Sequence, residues 1–114
     1  MSPSQPASLL RIHVCEGDKY RDQILYEAIV NRCLALGLAG ATVFRGLEGY
    51  GTTAEIHRKR LLTKDEPVVI VVIDSEEKIR QALPVLESMM DTGMMATSSV
   101  QVKRIRSGLL SPLS

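Results

Sequence analysis

Two arginines, Arg104 and Arg106, stand two residues apart near the end of the chain. On a strand, that spacing sends both guanidinium groups out of one face about 7 Å apart, a separation that suits two oxygens of a polyphosphate. Each guanidinium offers a planar fork of donors and has no proton to lose. The pair reads equally as solvated charge at a strand end. Gly49 and Gly51 flank Tyr50. Amides without a neighbouring β-carbon can approach a phosphate closely, and the same glycines can simply make a turn. Arg58, Lys59 and Arg60 form a basic run. As a loop face it is merely solvated; as a docking tip it would speed encounter with an acidic partner.

Other reactive types are present without the spacing that chemistry needs. His13 and Cys15 lie two apart on an expected strand and so share a face, and with His57 they are soft-metal ligand types. The chelating spacing of a closed zinc or copper site is absent, so packed or half-exposed strand residues are the plainer reading and no metal site is expected. Cys15 with a histidine would need a spatial triad for nucleophilic catalysis. The acids Asp18 and Asp22, and Glu76 and Glu77, suit helix N-termini better than acid/base pairs. No enzyme is expected.

These residues need elements to carry them. Residues 1–8, with two prolines and no periodicity, predict a loose tail. Residues 10–14 alternate apolar positions with Arg11 and His13, the period of a half-buried strand, which Gly17 and Asp18 close. Between about residues 20 and 38, Leu25, Ala28, Ile29, Cys33 and Leu36 recur at helical spacing, and Gly37 and Gly40 end the run. A second strand over 41–47 runs into the cluster Gly46, Gly49 and Gly51. The charged stretch 51–66 reads as a long functional or mobile loop, with helical propensity over 54–62. Residues 68–73 are six consecutive β-branched residues, a strand expected to be buried on both faces.

Asp74 and Glu77 predict a capping box for a helix whose stripe is Ile79, Ala82, Leu83, Leu86 and Met90, kinked at Pro84. The methionines at its end read as core packing rather than an interaction surface. Asp91, Thr92 and Gly93 terminate it. A last strand is expected over 100–106 and a trailing segment over 107–114. The order predicts an α+β fold, the ferredoxin-like βαββαβ arrangement, over residues 9–106: a four-stranded antiparallel sheet with two helices on one face. Two helices cover only one face, so the other face is expected to meet another copy of the chain.

Composition narrows the function classes. The chain has 114 residues, one domain's worth, with 45% hydrophobic and 24% charged residues. Fourteen Lys and Arg against 13 Asp and Glu, a net +1, provide no global field for nucleic acid or anionic membrane. With one Phe, three Tyr and no Trp, stacking platforms for single strands are not expected. Residues 9–14 are too short an apolar run for a signal or a membrane span, which predicts a cytoplasmic protein with Cys15 and Cys33 as thiols.

The run Ala41-Thr-Val-Phe-Arg-Gly-Leu-Glu-Gly-Tyr-Gly51, followed by Ile56-His57 and then by a strand from Pro67 ending in Asp74-Ser-Glu-Glu-Lys-Ile79, resembles an uncharacterised family of bacterial PII-like proteins. The resemblance covers about residues 9–105. It implies a homotrimer of ferredoxin-like subunits. The wider PII superfamily binds adenine nucleotides between subunits and inserts the long loop after the second strand into transporters or enzymes. By that resemblance Gly49 and Gly51, Thr92 and Gly93, and Arg104 and Arg106 are nucleotide-binding positions, and His57, Arg58, Lys59 and Arg60 belong to the partner-binding loop. The chain departs from the classical members in three ways. Residues 40–51 are one residue longer than the usual spacing, 94–99 lack the Gly-Asp-Gly-Lys sequence, and the loop between Gly51 and Pro67 contains no Tyr.

The resulting expectation is a PII-like signalling protein that senses a small anionic effector, with ATP, ADP or AMP as candidates, and regulates a membrane transporter, channel or enzyme through its long loop. The alternatives are a divalent-metal-binding trimer of the cation-tolerance type, through His13 and Cys15, and a ligand-free structural partner of a membrane transporter.

Overall fold

The computed structural model describes residues 4–46 and 66–105. Its elements run β1 (Gln5–Cys15), β2 (Lys19–Tyr20), β3 (Gln23–Ile24), α1 (Leu25–Ala35), β4 (Ala41–Arg45), β5 (Pro67–Asp74), α2 (Glu76–Glu87) and β6 (Met94–Val102). Four strands form an antiparallel sheet in the order β4, β5, β1, β6, and β2 with β3 makes a separate small hairpin. Apart from that hairpin the order is the expected βαββαβ.

The period-two pattern sorts side chains across the sheet. Leu10, Ile12 and Val14 of β1 and Val68, Ile70 and Val72 of β5 face the helices and are buried. They meet Leu25, Ala28, Ile29 and Cys33 of α1 and Ile79, Ala82 and Leu86 of α2 in one core. Each large aliphatic residue closed off in this way stabilises the fold by about 1.5–3 kcal/mol. The opposite face carries Leu9, Arg11 and His13 of β1, Val69, Val71 and Ile73 of β5, and Phe44 of β4. There Val69 and Val71 are only half-buried, Ile73 is 40% exposed and Phe44 54% exposed. The apolar run of β5 is thus covered on one face within a protomer, as two helices allow.

Several boundaries differ from the sequence expectation. β1 starts at Gln5, inside the stretch expected to be a tail, because Gln5 to Ser8 pair with Val102 to Ser99 of β6. Pro6 lies beyond the last β5 pair, Ser8 with Asp74, so only β6 runs beside it there. α1 starts at Leu25 rather than near residue 20. Arg21 turns the chain with a left-handed φ of 56°, and the Leu25 N–H donates to the Asp18 carbonyl at 2.8 Å. β4 ends at Arg45. α2 is capped by Ser75, whose Oγ accepts from Lys78 N–H at 3.2 Å. Asp74 instead accepts from Ser75 N–H and from Ala39 N–H at 2.8 Å, tying the connection before β4 to the end of β5. α2 continues past Pro84 to Glu87. β6 spans Met94–Val102 rather than 100–106, since its hydroxyl-bearing first half pairs with β1.

Candidate functional site

Strand register places three connections at one end of the sheet. Cys15, the last residue of β1, stands opposite Pro67, the first residue of β5; Arg45, the last of β4, stands opposite Val68; and Met94, the first of β6, stands opposite His13. The two flanks of residues 47–65 and the turn before β6 therefore share this end.

Glu16 holds both flanks. Its backbone N–H donates to the Glu66 carbonyl at 2.8 Å, and its carboxylate accepts from the Arg45 guanidinium at 2.6 Å. Arg45 also donates to the Tyr26 hydroxyl at 3.0 Å, with its Cζ 5.6 Å from the centre of that ring. The hydrogen bond to Glu16, and then the charge of Glu16, push the guanidinium pKa further above its ordinary value. Gly46 N–H closes the same base by donating to the Pro67 carbonyl at 2.9 Å. Beneath Glu16, Asp18 Oδ2 accepts from Cys15 N–H at 2.9 Å and holds the turn.

The turn before β6 is built around Gly93, which has a φ of 120°. A β-carbon there would lie 2.6 Å from the His13 carbonyl oxygen and 2.8 Å from Met90 Cε, so only glycine fits. Thr92 and Gly93, both exposed, line a recess of about 330 Å³ with Glu87, Met90, Asp91 and Met94. Thr92 and Gly93 thus combine solvent exposure with a steric requirement for glycine at position 93.

Arg104 is elsewhere. It is exposed and follows β6, whose last residue Val102 pairs with Gln5 at the other end of the sheet. The nine residues of β6 separate it from Gly93 by about 30 Å. One protomer therefore does not bring Thr92 and Gly93 together with Arg104. The expectation that Arg104 sits within the last strand is also corrected, since β6 stops at Val102. Gly49, Gly51, His57, Arg58, Lys59, Arg60 and Arg106 lie outside the described residues.

His13 and Cys15 share the open face of β1, as their spacing requires. Burial, and then the charge of Arg11, lower the His13 pKa below its ordinary 6.5. Among the described residues no group of three or more His, Cys, Asp or Glu could hold a metal ion. Sequence reasoning missed the Glu16, Tyr26 and Arg45 cluster, because its members lie in the turn after β1, on α1 and on β4 and carry no shared spacing.

The sequence profile of the DUF190 family, described as uncharacterized ACR, matches residues 7–102. The chain belongs to this family. Its relatives include a UPF0166 protein of Aquifex aeolicus, 38% identical over 96 residues, covering 82% of this chain and 90% of the relative. A UPF0166 protein of Methanocaldococcus jannaschii is 35% identical over 99 residues, covering 84% and 91%. Among solved structures, the apo form of CPII from Thiomonas intermedia K12, a nitrogen regulatory PII-like protein, superposes with a TM-score of 0.60 at 19% identity, over 92% of this chain and all (100%) of that one. CPII bound to ADP, AMP and acetate superposes with a TM-score of 0.59 at 21% identity, over 90% and 93%. At these identities the likeness establishes the fold. This DUF190 chain has the α+β fold of the PII-like proteins, as its sequence led one to expect. Among the described residues no helix is long and apolar enough to cross a membrane.

Proposed function

We propose that the protein is a PII-like regulatory subunit that acts by binding rather than catalysis, and that it senses an adenine nucleotide in clefts between copies of itself. The observation that carries this reading is the separation of Thr92 and Gly93 from Arg104 along β6. A cleft containing both needs a neighbouring copy placed head to tail, which is the heterologous contact of a cyclic ring. The resemblance implies three copies. In that arrangement Arg104 of one copy, together with Arg106, supplies fixed positive charge to the phosphates. The exposed backbone at Thr92 and Gly93 of the next, together with Gly49 and Gly51, supplies amide donors.

Two features support association. The open sheet face presents Phe44 and Ile73 to solvent, apolar surface of a kind that monomers seldom leave uncovered. β6 is an outer strand of nine residues with no charged residue, Pro or Gly. Natural edges are normally guarded by such residues, so a bare one fits a strand covered in an assembly. The structure of the PII-like neighbour CPII bound to ADP, AMP and acetate supports the choice of nucleotide. Effector binding would act through the long loop, residues 51–66, whose base Glu16 joins through Arg45 and Glu66, to change affinity for a target such as a transporter or channel.

Calorimetric titration with ATP, ADP and AMP tests the reading. Saturable binding of at least one, lost in Arg104→Gln, is the expected result. No binding by any of them at about millimolar concentration, where the binding free energy is only about 4 kcal/mol, overturns it.

A further inference from the structure

The centre of the open sheet face is unlike its surroundings. Arg11 and His13 project from β1, the strand flanked by β5 and β6, about 7 Å apart. Facing His13 are Val69 and Val71 of β5 and Met94 and Ala96 of β6, none of them charged. On its own strand, its same-face neighbours are Arg11 and the thiol of Cys15. β4 adds Thr42 and Phe44. The strands contribute two basic groups to this face, Arg11 and His13, and no carboxylate; the nearby carboxylate of Asp18, in the turn after β1, accepts from Cys15 N–H.

We infer that this face closes against further copies of the chain only while His13 is neutral, so that proton uptake by His13 dismantles the assembly. The inference rests on the reading above that copies associate, and adds how that association is regulated. Neutral His13 leaves one cation per copy on the face, and protonation makes two. A covering copy removes water from both, and repulsion between them rises as the local dielectric falls. Burial and Arg11 already disfavour the imidazolium within one protomer, and a second copy adds more of the same. The assembled form therefore binds fewer protons than separated protomers. By linkage, acid favours separation, and association tightens as pH rises through the histidine range.

Analytical ultracentrifugation of the full chain without nucleotide, at about pH 8 and about pH 5 on either side of the ordinary histidine pKa, reads the effect. Wild type is expected to associate at the higher pH and at least about tenfold more weakly at the lower, one pKa unit being a factor of ten. His13→Gln should associate equally at both. A second measurement does not depend on that variant folding: the His13 imidazole, followed by NMR in a His57→Gln background, should titrate at higher pH in a Phe44→Gln monomer, whose new side chain is uncharged, than in the assembled protein. Association of wild type that is independent of pH, or His13→Gln retaining the full pH dependence, overturns the switch while leaving the assembly standing. A wild-type chain that is monomeric at about pH 8 overturns both.

Discussion

Gly93 stands so close to His13 that a β-carbon on the glycine would lie 2.6 Å from the His13 carbonyl oxygen. The contact locks the turn before β6 onto the end of β1. It also makes the backbone at Thr92 and Gly93 a fixed surface next to the flanks of residues 47–65.

Gly93→Ala should therefore be costly for two reasons, the clash and a φ of 120° that alanine rarely adopts. A loss of about 1–3 kcal/mol is expected in urea unfolding. Gly40→Ala, with open space around the added carbon and no positive φ, is the control and should change stability by no more than about 0.5 kcal/mol.

The bond between Glu16 and Arg45 is short but solvent-exposed, with side chains 40% and 46% accessible. Its contribution to global stability should be small and screened by salt. Thermal melts of wild type and Glu16→Gln should differ most at low ionic strength and converge in high salt. If nucleotide affinity falls in this variant while the melts stay close, the pair positions the site rather than stabilising the fold.

Ile70 and Ile73 lie on the same strand but on opposite faces, one fully buried and the other 40% exposed. Ile70→Ala should cost about 2–5 kcal/mol through loss of burial and cavity formation. Ile73→Glu should leave the protomer fold intact, as judged by far-UV circular dichroism, and abolish self-association in sedimentation.

Burial pushes the Cys33 thiol above its ordinary pKa, so little of the reactive thiolate forms at neutral pH. In a Cys15→Ser background, Cys33 should react with a thiol reagent only as fast as the fold opens. The rate should rise with urea in step with the unfolding transition. Rapid labelling of the native protein would contradict the packing described.

Local pattern was enough to define the fold. The alternation around Arg11 and His13, the β-branched run at 68–73 and the helical spacing of Ile79, Ala82 and Leu86 each state which face is buried, and the sheet and both helices follow. Boundaries were less legible where backbone pairing outweighed side-chain character. Gln5, Pro6 and the Thr97, Ser98, Ser99 stretch look like loop, yet they pair because a neighbouring strand runs alongside. Asp74 has the spacing of a helix cap, yet accepts a hydrogen bond from Ala39, 35 residues away.

For function, residue types along the chain supply the candidates: glycines, arginines and a PII-like order of elements. Which of them can meet follows from how the elements pack. Packing joins Glu16, Tyr26 and Arg45 from a turn, a helix and a strand and sets Gly93 against His13. It also leaves Arg104 at the far end of β6, where a single chain cannot bring it back to Gly93. The reason is geometric: residue spacing defines distance along one strand or helix, whereas contacts between elements depend on strand order and register, to which every residue in the sheet contributes.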